Sequence, residues 1–163
     1  PFRTDDFERG ETSRVGGIGV GKTVSCSHPI RHPRGFWDGL TDGNVQDSRE
    51  TSFATNAAMD FPKHITVALQ GPHTVSAIRV HNSAFGGTKT VEVQISSDGE
   101  TYRRVGRTEF ANYTASSYTV EDLSEKGVRA VRLVIPDVHP ISFQRKKNGF
   151  VFLRELEIRG SAE

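Results

Sequence analysis

Two acidic residues that lie far apart in the chain have the surroundings expected of metal ligands. Asp42 sits in the turn Leu40-Thr41-Asp42-Gly43-Asn44, whose glycine lets neighbouring carbonyl groups point toward one centre. Glu155 interrupts the apolar alternation of the last predicted strand, where a purely structural strand favours a neutral residue. Ca²⁺ takes about six to eight oxygen ligands, from carboxylates and backbone carbonyls, in a flexible geometry. The pattern favours calcium over the alternative, in which Asp42 and Asn44 only stabilise a turn.

The elements that must position these residues are predicted to be short β-strands. Turn sequences with Gly, Pro or Asp separate the apolar runs, as in Gly71-Pro72 and Asp98-Gly99. No segment repeats apolar residues at helical spacing over three turns. The pattern predicts an all-β fold, an antiparallel β-sandwich or a barrel. Apolar and polar residues alternate over 23–27, 65–69, 78–80, 91–96, 118–120, 131–135 and 150–158.

The composition limits the class of protein. A chain of 163 residues is long enough for one domain with a hydrophobic core. Its 21 basic and 20 acidic residues nearly balance, so the net charge gives no argument for a nucleic acid partner. No apolar run approaches the roughly 20 residues of a transmembrane helix, and the single cysteine, Cys26, excludes an internal disulfide. The polar residues 1–21 are predicted to form an irregular N-terminal arm, and residues 22–163 the β-sandwich module.

Motifs of the common catalytic chemistries are absent from the sequence. Neither a His-Glu-x-x-His nor a Gly-x-Ser-x-Gly sequence occurs. The string Gly16–Thr23 matches the phosphate-binding pattern G-x-x-x-x-G-K-T, but the apolar strand before it and the helix after it are missing. A glycine-rich entry into the first strand is the favoured interpretation. A small hydrolase stays a weaker alternative, because the carboxylates of glycoside hydrolases meet only in space.

Three segments, in their order and spacing, resemble the discoidin family of coagulation factor V/VIII C-type (galactose-binding-like) domains, and in particular its bacterial carbohydrate-binding modules. They are the turn 40–44, the segment Ser97-Asp98-Gly99-Glu100-Thr101-Tyr102 and the closing strand 153–160. The resemblance implies a discoidin-like jelly roll. It also implies a structural calcium bound by Asp42, the Leu40 carbonyl and Glu155. A further ligand is either Asp47 or Thr51, because the loop between residues 45 and 51 carries an insertion.

The resemblance further implies that loops at one end of the sandwich bind a carbohydrate. Aromatic rings there stack on sugar faces, and polar groups bind the hydroxyls. The galactose signature is poor, since Phe53-Ala54 stands where the family usually has Trp-His. Basic residues in these loops suggest an anionic glycan, and the alternative is a solvated basic surface. The predicted contact residues are Arg31, His32, Arg34, Trp37, His81, Asn82, Phe85, Arg145, Lys147 and Phe150.

The expected function is that of a non-catalytic carbohydrate-binding module. We expect it to be a piece of a larger secreted or cell-surface protein that acts on glycans, and to be monomeric. The main alternative is an adhesion or protein-interaction module on the same fold.

Overall fold

The computed structural model describes residues 14–32, 34–139, 141–143 and 146–163, with the backbone alone for 141–143 and 146–147. Within these ranges no helix has the length and apolar character needed to cross a membrane. The described residues form the strands β1 (Thr23–Cys26), β2 (Phe53–Ala54), β3 (Lys63–Asn82), β4 (Thr90–Ser96), β5 (Arg103–Glu109), β6 (Ser117–Val120), β7 (Glu125–Ile135), β8 (Ile141–Phe143), β9 (Lys146–Asn148) and β10 (Phe152–Ala162).

The 20-residue strand β3 organises the sheet. Its first half pairs with β1 and β7, and its second half pairs with β10 and β6, all antiparallel. Gln70 and Gly71 lie between the two halves with φ angles of 60° and 118°, a region that extended strands do not occupy. The register with β7 shifts at this corner, and the sheet folds over into two layers. One layer is β1-β3-β7-β4-β5 and the other is β2-β10-β3-β6, so the predicted all-β sandwich is confirmed.

The core lies between the two layers and consists of the predicted alternating residues. Val67 on β3, Val93 on β4, Leu133 on β7 and Ile158 on β10 are all completely buried. Burying an aliphatic side chain of this size contributes roughly 1.5–3 kcal/mol. The period-two pattern therefore identifies the strands that hold the two layers together.

Two features of the chain differ from the sequence-based expectation. The predicted strands at 65–69 and 78–80 are parts of one strand, β3. The short strand β2 and the hairpin of β8 and β9 lie in segments that were expected to be loops. Residues 1–13 of the predicted N-terminal arm lie outside the described residues. Its remainder packs on the sheet, where the Ile18 amide donates to the Ile158 carbonyl at 2.9 Å.

The corner of β3 and the two ends of β3 lie at opposite ends of the sandwich. At the corner, His73 pairs with Ala162, and the Glu163 amide donates to the Pro72 carbonyl. Both ends of β3 reach the segment 149–153. Lys63 bonds to the Gly149 carbonyl, and Asn82 pairs with Leu153. We call this second end the rim.

Candidate functional site

The structure places Asp42 against Glu155, although they are far apart in sequence. Glu155 is 1% exposed, and its Oε2 atom accepts a hydrogen bond from the Gly43 amide at 2.9 Å. Its Oε1 atom is buried and has no donor among the described residues. Burial and the adjacent Asp42 carboxylate raise the pKa of Glu155 to about 10. Burial also raises the pKa of Asp42, so this pair is short of positive charge.

Backbone oxygens complete the surroundings of the two carboxylates. A Cβ atom on Gly39 would collide with both the Thr51 carbonyl and Asp42 Oδ2, so glycine at position 39 lets these two oxygens approach each other. The Leu40 carbonyl accepts a hydrogen bond from the Leu156 amide at 2.9 Å, which ties the turn to β10. No three His, Cys, Asp or Glu side chains cluster anywhere in the described part of the chain. Two carboxylates with carbonyl oxygens are nonetheless the donor set that calcium takes.

The Asp47 carboxylate does not join this pair and instead accepts hydrogen bonds from the loop after β3. Its Oδ1 atom accepts a hydrogen bond from the Ser83 hydroxyl at 2.6 Å, and its Oδ2 atom accepts one from the Ala84 amide at 2.7 Å. Of the two alternative metal ligands, the structure therefore brings Thr51 to the Asp42–Glu155 pair, through its backbone oxygen, and directs the Asp47 carboxylate elsewhere.

Four aromatic rings form a cluster at the rim, which we call the rim cluster: Trp37, Phe85, Phe150 and Phe152. Trp37 packs edge-to-face on Phe85 and on Phe152, with centroids 5.2 Å and 5.1 Å apart. Phe150 lies 5.4 Å from Phe152. Trp37 is 6% exposed, whereas Phe85 is 46% exposed. Trp37 is therefore the packed base of the cluster and Phe85 its accessible ring.

The backbone around the rim cluster is held in an unusual conformation. Trp37 has a φ angle of 63°, in the left-handed region, where a residue with a side chain costs about 1–3 kcal/mol. Two backbone hydrogen bonds fix it there, from its amide to the Arg49 carbonyl and from the Ala54 amide to its carbonyl. Gly86 packs so tightly against the Phe152 ring that no Cβ atom would fit. The rings thus have defined positions before any ligand arrives.

The guanidinium of Arg31 lies on the rim cluster. Its Cζ atom is 4.4 Å from the ring centre of Phe150 and 5.5 Å from that of Trp37, which are favourable cation–π distances. Among the described residues, no acidic side chain forms an ion pair with Arg31. Beside it runs an open groove of about 410 Å³, without an acidic residue in its lining. The groove is lined by Arg31, His32, Phe36, Trp37 and Arg49.

Two predicted ligand contacts, His81 and Asn82, are buried near the end of β3 and do not join the rim cluster. His81 bonds through Nε2 to Glu157 at 3.0 Å and through Nδ1 to the Ser117 hydroxyl at 2.8 Å. Burial lowers the pKa of His81, and the hydrogen bond to Glu157 opposes that shift. Asn82 is completely buried and donates to the Thr114 carbonyl at 2.7 Å. Both side chains therefore form hydrogen bonds that stabilise the packing of β3 against neighbouring segments.

The other predicted contacts have mixed outcomes. Trp37, Phe85, Phe150 and Arg31 are brought together, and His32 lines the neighbouring groove. Arg34 is exposed. Arg145 lies outside the described residues, and of Lys147 only the backbone is described.

Sequence reasoning missed Phe152 and Lys63. The spacing of Phe150 and Phe152 puts both rings on one side of a strand, and that signal was available. Lys63 is completely buried, and its ammonium donates to the Gly149 and Asn56 carbonyls, at 2.6 Å and 3.0 Å, and to the Thr55 hydroxyl at 3.2 Å. Burial lowers the pKa of Lys63.

Comparison with known proteins identifies the family and the fold of the chain. The sequence model of the F5/8 type C family described as "NedA-like, galactose-binding domain" matches residues 39–133. The chain belongs to this family. The matched range includes Asp42, Phe53 and most of the strands that form the two layers. Among curated protein sequences, none matches the chain.

Solved structures with the same fold include bacterial modules. The C-terminal domain of a chitobiase from Bacteroides fragilis is 20% identical, covering 90% of this chain and 97% of its own, with a TM-score of 0.66. Clostridium perfringens CpGH89CBM32-5, in complex with GalNAc-β-1,3-galactose, is 20% identical over 88% of this chain and 99% of its own (TM-score 0.65). Chitosan-binding module 1 of a Paenibacillus chitosanase/glucanase is 18% identical over 89% and 99% (TM-score 0.64). These similarities show that the chain has the discoidin-like fold.

Proposed function

We propose that this domain binds a carbohydrate at the rim cluster without catalysing a reaction on it. The observation that carries the proposal is a half-exposed ring, Phe85, fixed on the buried Trp37 beside the guanidinium of Arg31. A preformed aromatic surface with a few polar donors is the usual composition of a small-molecule site. The carbohydrate class is supported by one similar module in complex with GalNAc-β-1,3-galactose and by another that is named as chitosan-binding.

We propose that the carbohydrate is anionic. Arg31 has five N–H donors and no acidic partner among the described residues. A sulfate or uronate accepts such donors through charge-assisted hydrogen bonds. The groove beside it adds His32 and Arg49, although Arg49 also pairs with Glu50 at 3.0 Å on the exposed surface. An exposed pair of this kind is weak and yields easily to a ligand.

We also propose that calcium binds between Asp42 and Glu155. The donor-less Oε1 atom of Glu155 and the nearby Thr51 carbonyl support this site. Calcium would supply the positive charge that lets both carboxylates stay ionised while buried. Its role would be structural, because the pair fixes the turn 40–44 to β10.

We place the module in a larger secreted or cell-surface protein that acts on glycans, where it would act as a monomer that raises the effective substrate concentration.

Glycan binding is tested on an array of neutral, sulfated and uronate-containing oligosaccharides, followed by calorimetry on the best ligand. The variant F85A should weaken binding about tenfold, equivalent to about 1.4 kcal/mol. Its control is V20A, which removes an apolar residue of similar exposure from the glycine-rich segment. The absence of any array hit would contradict the proposal and would favour the protein-interaction alternative.

The anionic class is tested separately with R31Q. This variant should weaken binding of the anionic ligand about tenfold and reduce the dependence of affinity on salt, while a neutral analogue should bind almost as before. R107Q removes an exposed guanidinium from β5 and serves as the control. Equal losses for charged and neutral ligands would show that Arg31 acts only through packing.

A further inference from the structure

Both oxygens of the Asp47 carboxylate accept hydrogen bonds, and the donors come from two loops. Oδ1 accepts hydrogen bonds from Ser83 Oγ at 2.6 Å and from Ser52 Oγ at 3.1 Å. Oδ2 accepts one from the Ala84 amide at 2.7 Å. Arg154 ties together the same parts of the chain, since its guanidinium donates to the carbonyls of Asn82 and Val45. Asp47 and Arg154 therefore fasten the loop after β3 to the loop that carries Asp42.

The fastened loop carries the accessible ring of the rim cluster. Ser83 is completely buried, and its hydroxyl oxygen also accepts a hydrogen bond from the Phe85 amide at 3.1 Å. On the other side of Phe85, Gly86 is packed against the Phe152 ring. The backbone of Phe85 is thus fixed on both sides, while nearly half of the residue stays in solvent. Asp47 is linked to this backbone in two ways. It accepts a hydrogen bond from the Ala84 amide, and it accepts one from the Ser83 hydroxyl, whose oxygen in turn accepts one from the Phe85 amide.

We infer that Asp47 is a positioning residue for carbohydrate binding, which acts by holding Phe85 on Trp37; the inference rests on the proposed function of the rim cluster. A ring that already has its bound position loses little freedom when a ligand arrives, so fixing it in advance raises affinity. This role assigns Asp47 to the ligand site and gives it no part in binding the metal.

The test compares D47A, D47N, F85A and the double variant D47A/F85A. D47A should weaken glycan binding about tenfold, and D47N should recover part of that loss because it keeps one acceptor oxygen. The double variant should bind within about twofold of F85A alone, because Asp47 acts through Phe85. The increase in Tm on adding calcium should be the same in D47A as in the wild type.

A second readout uses the chain's single tryptophan, Trp37, which Phe85 covers. Acrylamide should quench Trp37 fluorescence about twofold more strongly in D47A and in F85A than in the wild type, because a loosened loop exposes the indole. If the wild type binds no glycan, the proposed function fails, and the quenching alone decides whether Asp47 holds Phe85. If D47A does not fold, as judged by urea unfolding, S83A replaces it, with the same expected results.

Three results would overturn the inference. Losses of affinity in D47A and F85A that add up in the double variant would show that Asp47 acts by another route. Unchanged quenching of Trp37 in D47A would show that the loop needs no fastening. Loss of the calcium response in D47A would assign Asp47 to the metal site.

Discussion

Two buried charged regions hold loops onto the sheet of this domain, and they differ in where the balancing charge comes from. At Lys63, the chain's own ammonium lies among neutral oxygens of Thr55, Asn56 and Gly149. At Asp42 and Glu155, two carboxylates face each other, and one buried oxygen has no donor among the described residues. The first region is satisfied by groups of the chain, whereas the second, under our proposal, takes its positive charge from calcium.

The contacts of Lys63 therefore need no added ion, whereas under our proposal the contacts of Asp42 and Glu155 need calcium. Lys63 secures the segment around Gly149, next to Phe150, under all conditions in which it stays protonated. The turn 40–44 and the loop that follows it depend, under our proposal, on the concentration of calcium. One wall of the rim therefore does not depend on calcium, whereas under our proposal the other wall, which reaches Phe85 through Asp47, does. The following predictions test this asymmetry, in order of decreasing effect.

Replacing the internal ammonium should be the most damaging change. K63M removes the described donor of the buried Gly149 carbonyl and one of the two donors of the Asn56 carbonyl, which keeps the Thr55 hydroxyl, so the free energy of unfolding should fall by about 3–5 kcal/mol. Urea unfolding followed by circular dichroism measures the loss. K126M, at an exposed position, is the control. A loss in K63M that calcium restores would show that the two regions are not separate.

Calcium should stabilise the wild type by an amount that depends on its concentration. At about a hundredfold excess over Kd, binding to the native state alone contributes about 2.7 kcal/mol, which corresponds to an increase in Tm of roughly 5–10 °C. Thermal melting with calcium and with a chelator measures this difference. In E155Q the increase should disappear, whereas E121Q, at an exposed glutamate, should respond as the wild type does. Equal melting of the wild type in both media would contradict the metal site.

Gly39 provides a steric test of the same region. In G39A, the new methyl group would collide with the Thr51 carbonyl and Asp42 Oδ2, so the variant should lose about 1–3 kcal/mol and most of its calcium response. G16A is a matched control, because a Cβ atom at Gly16 has no neighbour within 4 Å. If G39A responds to calcium normally, the two oxygens do not share an ion.

Asp98 offers a carboxylate that the chain satisfies by itself, and its effect should be the smallest. The amides of Thr101 and Glu100 and the Ser96 hydroxyl donate to it, which lowers its pKa to about 2. Because the folded-state pKa is lowered, the stabilisation is present above the unfolded value near 3.8 and is lost as the pH falls through about 2. D98N should melt slightly earlier than the wild type at neutral pH, and the difference should vanish once the pH falls to about 2. A difference that grows on acidification would contradict this assignment.

The sequence was informative where local pattern decides the structure. The alternation of Val91, Val93 and Ile95 predicted β4, because one face of that strand is buried in the core and the other is not. The family resemblance supplied the proximity of Asp42 to Glu155, which no local pattern contains. Trp37 was predicted from the sequence as a ligand contact, and the structure shows that its ring is buried, whereas the neighbouring Phe36 is 38% exposed.

The remaining features depend on contacts between distant segments. Lys63 looks like a surface lysine at the start of a strand, and its burial is made tolerable by three acceptors: the carbonyl oxygens of residues 56 and 149 and the Thr55 hydroxyl. His81 and Asn82 have side chains suited to sugar hydroxyls, but the pairing of β3 with β6 and β10 places them inside the structure. Asp47 was a candidate ligand of the proposed calcium because of its position in the sequence, whereas in the structure its oxygens accept hydrogen bonds from Ser83 and Ala84.

The corner at Gln70 and Gly71 also determines how the domain can be presented to a glycan surface. Because β3 turns back there, the last residues of β10 lie beside His73, at the opposite end of the sandwich from Phe85. A support or a fluorescent label attached through Glu163 would therefore leave the aromatic rings facing outward. Attachment near Met59, which is exposed next to Gly149, would instead cover them.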